Sequence, residues 1–415
     1  MTAIQATQQH DDWLRKIGID PAKLGSPGQA PGIAPGDGTK KVQFALPGSP
    51  EEKVVHMDEK WQKALKASDW PAAAEVVNGF SASDMKSRLA KLSKEQIAKL
   101  HKGAIDNRKV GQNSAVALAT VALQHPVLGT AQASRAEELT KQLSPKDAKE
   151  LKSVMESAKS EKEKQYITKG LASGHSVAEL KKFAAKIAGK DEKWLQDNLS
   201  LTGNSEGKGV KQQWSMSCNA TAQEAVRGEM DPLYALKMHE DNPHLTEADD
   251  KSGSKLNPTL AKEQKKLLES KNEDGSKGGQ AVARGSGISA RGRWNTDLLN
   301  KISKSTGVDY ERKVVGTDET MDQTVGSIND GLAKGAPVPI VVGDGGQNAT
   351  AHYVVIMATD PGPPRYYSIH DPASGDTVVR SEDQLRTGNL DIGWTTLYSI
   401  EKPTEVKVKP KKGKK

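Results

Sequence analysis

The sequence predicts an α+β protein, in which an all-helical segment precedes a domain of helices and an antiparallel sheet. Three observations favour this class. Apolar residues recur at helical spacing between capping signals before residue 200, and β-branched runs concentrate after residue 336. Helices also precede those runs rather than alternating with them, which argues against a parallel sheet.

Composition divides the chain into segments. The 415 residues suit two or three domains, since one core rarely grows past about 250 residues. We expect a flexible Pro/Gly-rich leader at 1–48, a helical domain at 49–200, an α+β domain at 201–402 and a basic tail at 403–415. A polar, Gly-rich insertion at about 241–293 interrupts the α+β domain and carries one predicted helix near 257–270.

Capping signals mark helix starts in the first half of the chain. Ser93–Gln96 and Ser176–Glu179 read as capping boxes, and Ser144 is followed by a proline at the first helical position. Gly189 ends the helix that Ser176 begins. This half shows no recognisable chemistry, and three tryptophans are expected to anchor its core: Trp61, Trp70 and Trp194.

The second half begins with a helix and ends in strands. One helix is predicted from near Ser217 through Tyr234, followed by helices near 295–304 and 320–334, the last ended by Gly335. Gly, Pro and Asp separate the β-branched and aromatic runs that predict strands. These strands are Val338–Val342, His352–Met357, Arg365–His370, Thr377–Val379 and Trp394–Ile400.

Charge and cysteine content exclude several classes. The net charge of +7 lies largely in the C-terminal lysines, which we interpret as a solvated tail without the interleaved aromatics that stack nucleic-acid bases. We therefore expect no specific nucleic-acid partner. Because Cys218 is the only cysteine, an intramolecular disulfide and a multi-Cys metal site are excluded.

Neither a membrane segment nor a cofactor is expected. The N-terminus lacks the charged and apolar regions of a signal peptide, and the longest apolar runs are too short to span a bilayer. We expect a soluble chain, cytoplasmic or secreted without a cleaved signal peptide. His239 and His244 lie near acidic residues but lack an HExxH pattern, so no metal or cofactor is predicted.

Cys218 stands at the predicted start of a helix, with Ser217 as its N-cap. A helix N-terminus stabilises negative charge, so it favours the reactive thiolate. Gln212, six residues upstream, is placed to direct an amide N–H at an oxyanion beside the Cys218 backbone N–H, with Gln213 as the second choice. The alternative interpretation is a small core cysteine beside a helix cap.

His352 opens one predicted strand, and Asp371 ends the next, 19 residues later. If the two strands pair as a hairpin, the carboxylate lies near the imidazole and fixes its tautomer. Taken alone, His352 is a surface strand-end histidine and Asp371 an Asp-Pro turn. Strand alternation directs the neighbouring His370 to the opposite face, where a structural role is expected.

The order of these motifs resembles the papain-like cysteine peptidase superfamily. The likeness is to its bacterial branch of double-glycine leader peptidases and their standalone relatives, and it covers about 205–400. That branch has Gln six residues before a Cys that begins a helix, then G-x-P-V-x-V, H-Y-V-V-I and D-P-x-x-G. The matching segments here are Gln212, Cys218, Gly335–Val342, His352–Ile356 and Asp371–Gly375.

The resemblance implies a catalytic triad of Cys218, His352 and Asp371, with Gln212 in the oxyanion hole. Two features depart from the family: Asn219 stands where Gly is usual, and the insertion is long. The implied reaction is hydrolysis of a peptide bond in a protein or peptide substrate. The same triad serves cell-wall amidases acting on peptidoglycan, transglutaminases and glutamine deamidases, and an inactive papain-like binding module is a further alternative.

The helical half adds a hypothesis about biological setting. A helical domain fused to such a module resembles a bacterial secreted effector or toxin, and no transporter segment accompanies it for export-coupled leader processing.

Overall fold

A computed structural model of the chain describes residues 50–77, 127–202, 208–214, 217–242, 256–270, 306–343, 351–359, 365–388 and 392–405, with isolated positions between them. The leader predicted at 1–48, most of the insertion and the tail beyond Glu405 lie outside these residues. Within them, the chain forms twelve α-helices and one six-stranded antiparallel sheet. The mixed α+β class predicted from the sequence is therefore confirmed.

All the regular secondary structure described before residue 200 is helical. Ser144 and Ser176 accept hydrogen bonds from backbone N–H groups of their own first turns, and Ser93 and Gln96 bond each other reciprocally. Gly189 ends its helix at φ +70°, a value that favours glycine. The helices are α1 Pro50–Ala67, α2 Trp70–Val77, α3 Thr130–Lys141, α4 Pro145–Ser157, α5 Glu161–Ala172, α6 Val177–Ile187 and α7 Glu192–Asn198.

The three tryptophans belong to two separate apolar clusters. Trp61 is buried, and Trp70 packs beside it between α1 and α2. Trp194 lies at the edge of a second cluster, whose centre is formed by aliphatic residues and Phe183 of α3–α7. The expectation of a single core anchored by all three is therefore wrong, since Trp194 contributes to a different core.

The helix predicted through Tyr234 is divided in two. α8 spans Cys218–Met230 and α9 spans Pro232–Asp241, and Asp231 between them is extended at φ −123°, ψ 94°. Proline disfavours helical backbone in the residue before it, which explains the break. The Asp231 carboxylate then caps α9 by accepting from the N–H groups of Leu233 and Tyr234. α10, Pro258–Glu269, confirms the predicted helix of the insertion.

The sheet holds six strands in the order β1-β6-β2-β3-β4-β5, and every neighbouring pair is antiparallel. Five strands lie at the predicted positions, with ends that differ by a few residues. The elements are β1 Val308–Val314, α11 Met321–Ala333, β2 Val338–Gly343, β3 Ala351–Thr359, β4 Tyr366–His370, β5 Thr377–Ser381, α12 Glu382–Thr387 and β6 Thr396–Glu405.

β1 and α12 are not predicted from the sequence. β1 reads Val-Asp-Tyr-Glu-Arg-Lys-Val, a charged run that becomes an edge strand only because β6 pairs with its whole length. β6 in turn extends to Glu405, so the first residues assigned to the basic tail are part of the sheet. Of the predicted helix near 295–304, Leu299 and Asn300 are described, and both are helical.

Helices cover both faces of the sheet. α8 packs on β3, and α11 packs on β2, β3 and β6. Successive side chains along each strand therefore point alternately into two apolar clusters, as expected from the two-residue period of a strand. Residues on the α8 side include Ala222, Val226, Val341, Tyr353 and Val355, and those on the α11 side include Ile328, Leu332, Ile340, Val354 and Ile356.

α9 also packs against the helices of the first half. Leu236 is buried in the α3–α7 core, and Leu233 lies beside it. His175, after α5, bonds the Asp231 carboxylate at 2.8 Å, and Ser173 donates to the Met230 carbonyl at 2.8 Å. The helical segment is therefore in direct contact with the end of α8, the helix that Cys218 begins.

Candidate active site

His352 and Asp371 lie at the same end of two paired strands. β3 begins at Ala351 and β4 ends at His370, and the two strands run antiparallel, so the start of one faces the end of the other. His352 Nε2 lies 2.6 Å from Asp371 Oδ1. Both residues are buried: His352 exposes 6% of its surface and Asp371 exposes 8%. The hairpin geometry expected from the sequence holds.

A tight turn fixes the Asp371 carboxylate. The backbone N–H of Ala373 donates to Oδ1 at 2.9 Å, and the Ser374 hydroxyl donates to Oδ2 at 3.0 Å. Gly375 closes the turn with an N–H bond to the Asp371 carbonyl at 2.8 Å, at φ +76°. Because both carboxylate oxygens are bonded, the acceptor facing His352 has one preferred orientation.

Cys218 begins α8, and its interaction with His352 is one of the causes that raise the pKa of the imidazole, so the two side chains are neighbours. Asp371 engages Nε2 of the imidazole, so Nδ1 is the ring nitrogen left for an interaction with the thiol. The cysteine is partly exposed, whereas the histidine and aspartate behind it are buried. The sulfur is therefore the member of the group that a molecule from solvent reaches first.

Hydrogen bonds and neighbouring charges shift the pKa values of His352 and Asp371. Burial opposes protonation of His352, but its hydrogen bonds to Asp371 and Cys218, and their charges, outweigh burial and raise the pKa of His352 to about 9. Burial also opposes ionisation of Asp371, yet the bonds from His352, Ala373 and Ser374 hold its pKa below the usual range. At neutral pH the arrangement favours an imidazolium next to a carboxylate.

Gln212 is held beside the turn that carries Asp371. Its backbone N–H donates to the Pro372 carbonyl at 2.8 Å, and Gly209 N–H donates to the Gly375 carbonyl at 2.7 Å. The segment ahead of Cys218 therefore runs along the 371–375 turn and brings Gln212 to the same corner of the molecule as Cys218.

Gln213 is buried and engaged elsewhere. Its side-chain amide donates to the Lys211 carbonyl at 2.9 Å and accepts from the Asn257 N–H at 2.6 Å. Since the Nε2 and the Oε1 of this amide are both bonded to backbone of the protein, the Gln213 side chain is poorly placed to donate to an oxyanion.

Ser217 occupies the N-cap position of α8, but its hydroxyl does not cap the helix. The hydroxyl instead bonds Gln264 Oε1 at 3.0 Å and the Trp214 backbone. The predicted capping bond is therefore absent, because a buried partner from α10 competes for the hydroxyl. Asn219, the departure from the family pattern, is buried, and its Oδ1 accepts from Ala220 N–H.

Two neighbours of the site are missed by reasoning from the sequence. The indole of Trp394 is stacked on the His352 imidazole, with ring centroids 5.9 Å apart and planes 24° apart. Gln264, from the insertion, bonds the segment before Cys218. Trp394 was assigned to a strand, whereas β6 begins two residues later. A lone tryptophan before a strand and a glutamine inside a polar helix carry no motif that marks them.

The other histidines of interest are structural. His370 is fully buried and donates from Nε2 to the Val210 carbonyl at 2.9 Å, and burial lowers its pKa to about 4. His239 bonds the Ser200 carbonyl at 2.9 Å, and burial lowers its pKa. Among the described residues, no group of His, Cys, Asp and Glu has the arrangement of a metal site. His244 lies outside these residues.

No protein-family model matches the sequence, and no curated protein is significantly similar to it. In the part of the chain that the structure describes, no helix combines the length and apolar character needed to cross a bilayer.

Proposed function

We propose that the protein is a thiol-dependent amide hydrolase of papain-like type, with Cys218 as nucleophile, His352 as acid and base, and Asp371 as the residue that orients His352. The observation that carries the proposal is the position of one imidazole, which is bonded to the Asp371 carboxylate and neighbours Cys218, the only cysteine of the sequence. A helix that starts at the cysteine and packs on β3, the strand that carries His352, fits a papain-like domain at 201–402.

The first half of the reaction forms an acyl-enzyme. The Cys218 thiolate attacks the substrate carbonyl carbon, and a C–S bond forms as the carbonyl oxygen becomes an oxyanion. The Cys218 backbone N–H and the Gln212 side-chain amide are proposed to donate to that oxygen. The C–N bond then breaks, and the His352 imidazolium gives its proton to the leaving amine.

The second half returns the enzyme to its starting state. Neutral His352 takes a proton from water, the resulting hydroxide attacks the thioester carbon, and the C–S bond breaks to release the acid and the thiolate. Asp371 stabilises the imidazolium in both halves and keeps the ring in place. The raised pKa of His352 suits this role, because the free enzyme then holds the proton that the leaving amine needs.

The proposed substrate is a peptide bond, since the leaving group must accept a proton from a cationic acid as an amine does. Hydrolysis of a protein glutamine with release of ammonia, or lysis of peptidoglycan, would retain the mechanism and change the substrate class. We propose the helical segment as a separate domain that serves delivery or targeting in a secreted effector.

The test uses a peptidyl vinyl sulfone probe and a mixed peptide library with a mass-spectrometric readout. Labelling and cleavage are expected in the wild type and lost in Cys218→Ala. His352→Gln should lose both, whereas His239→Gln, which alters a buried histidine outside the site, should keep both. Equal cleavage by wild type and Cys218→Ala would refute the proposal, as would labelling of Cys218 that is unchanged in His352→Gln.

A further inference from the structure

Gln264 of α10 is fully buried and makes four hydrogen bonds. Its Oε1 accepts from the Gln213 backbone N–H at 2.9 Å and from the Ser217 hydroxyl at 3.0 Å. Its Nε2 donates to the Lys211 carbonyl at 3.1 Å and to Glu224 Oε2 at 2.9 Å. Both donors and both acceptor positions of the amide are therefore in use.

These four bonds bracket the catalytic segment. Lys211 and Gln213 flank Gln212, and Ser217 directly precedes Cys218, so one side chain holds the backbone on both sides of Gln212 and the hydroxyl of the residue before Cys218. The described residues of 211–217 belong to no helix or strand, so no regular ladder of hydrogen bonds fixes this segment.

α10 is attached to the segment by further contacts. The Asn257 N–H at its N-cap donates to Gln213 Oε1 at 2.6 Å. Leu268, fully buried at the other end of α10, packs with Trp214 and Ala220. The helix therefore docks on the segment through its whole length, although it belongs to an insertion by sequence.

Glu224 provides the fixed partner on the α8 side. It is completely buried on the same helix as Cys218, and burial raises its pKa well above the usual range, which favours the neutral carboxyl. A neutral carboxyl and an amide form a stable buried pair, which ties Gln264 to the helix rather than to the segment alone.

We propose that Gln264 is a positioning residue for the oxyanion hole: it holds Lys211, Gln213 and Ser217 so that the Gln212 amide and the Cys218 N–H converge on one point. The inference rests on the proposed hydrolase function. It assigns to the insertion a structural part in the active site, with no contact between Gln264 and the substrate.

Two reactions of Cys218 separate this role from a general effect on folding. Alkylation by iodoacetamide is a displacement at carbon that needs the thiolate but forms no oxyanion, whereas amide hydrolysis needs both. A variant that loosens only the oxyanion donors is therefore expected to slow hydrolysis and to leave alkylation nearly unchanged.

The first variant is Gln264→Met, which keeps the length of the side chain and removes its four hydrogen bonds. We expect kcat to fall about 100-fold, near the loss seen when one oxyanion donor is removed, with KM and the alkylation rate within about twofold of wild type. Gln132→Met is the control, since Gln132 is also a buried helical glutamine that bonds a backbone N–H but lies in α3. Its kcat should match wild type.

The second variant reverses the buried pair and remains informative if Gln264→Met does not fold. Gln264→Glu places two carboxyls together, and adding Glu224→Gln restores an amide–carboxyl bond of opposite direction. The double variant is expected to recover at least about tenfold in kcat over Gln264→Glu, because the single bond that anchors position 264 to α8 returns. No recovery in a folded double variant, or parallel losses in hydrolysis and alkylation in either single variant, would overturn the inference.

The outcomes distinguish this inference from the proposed function. If the wild type hydrolyses no amide and Cys218 reacts like an ordinary thiol, the hydrolase proposal fails. If the wild type hydrolyses amides and Gln264→Met is equally active, the hydrolase proposal stands and the positioning role of Gln264 is refuted.

Discussion

Asp371→Asn separates the two contributions that Asp371 makes to His352, orientation and charge. Oδ1 accepts from His352 Nε2 at 2.6 Å and from the Ala373 N–H at 2.9 Å, and the Oδ1 of an asparagine accepts both bonds. The new amide nitrogen takes the place of Oδ2, where the Ser374 hydroxyl rotates from donating to accepting. The ring is therefore expected to keep its orientation and to lose only the neighbouring negative charge.

The magnitude follows from the pKa of His352. A rise from 6.5 to about 9 corresponds to about 3 kcal/mol in favour of the imidazolium, at about 1.4 kcal/mol for each tenfold change. The hydrogen-bonding interaction with Asp371 raises the pKa of His352 more than the one with Cys218 does. Removal of the carboxylate charge is expected to cost the imidazolium about 1 to 2 kcal/mol.

The assay is the pH dependence of kcat/KM. In the wild type, loss of the His352 proton should produce an alkaline limb near pH 9. Asp371→Asn should move that limb to lower pH with a modest loss of maximal rate, whereas Asp371→Ala should also lose the ring orientation and at least about 100-fold in kcat.

Asp376→Asn is the matched control, because Asp376 lies in the same turn but pairs with Lys208 at the surface. Its alkaline limb should coincide with that of the wild type. An alkaline limb that does not move in Asp371→Asn would contradict the electrostatic reasoning, since the carboxylate would then contribute nothing to the pKa of His352.

Further predictions concern the surroundings of the triad. Burial lowers the pKa of His370 to about 4, so the free energy of unfolding should fall as the pH drops from 6.5 toward 4. The expected loss, measured by urea unfolding, is up to about 3 kcal/mol. In His370→Gln this dependence on pH should be weaker. The raised pKa of His352 has the opposite sign: its stabilisation is complete below pH 6.5 and is lost as the pH rises through about 9, which unfolding of His352→Gln should reveal. Gly209→Ala places a Cβ 2.7 Å from both the His370 ring and the Leu201 carbonyl, so a loss of about 1 to 3 kcal/mol is expected, measured by the shift in Tm. Trp394→Ala removes the ring stacked on His352, and kcat is expected to fall about tenfold at constant KM because the imidazole gains freedom.

Local patterns were sufficient for five of the six described strands and for the starts of several helices. β-branched runs between Gly, Pro and Asp predicted five strands, and Ser144 and Ser176 marked helix starts through bonds within one turn. Such signals depend on neighbours a few residues apart, so they are present in the sequence itself. The break at Asp231 was also encoded locally, in the proline that follows it, and was overlooked because apolar residues continue through Tyr234.

β1 and the role of α10 depend on distant partners. β1 is a charged run whose strand conformation is provided by pairing with β6, about 90 residues later. The hydroxyl of Ser217 has a good N-cap position, yet it bonds Gln264, 47 residues away. A local preference of about 1 kcal/mol is easily outweighed by a buried network, and only the fold decides which network forms.

The sequence by itself determined the residues of the candidate site: a lone cysteine at a helix start, a histidine opening a strand and an aspartate ending the next, in that order along the chain. Tertiary structure decided what surrounds them, because Trp394 and Gln264 reach the site from segments without a motif. Packing of α10 on α8 places Gln264, and the position of Trp394 ahead of β6 stacks its ring on His352 of β3. Residue spacing along the chain contains no information on such distances across the fold.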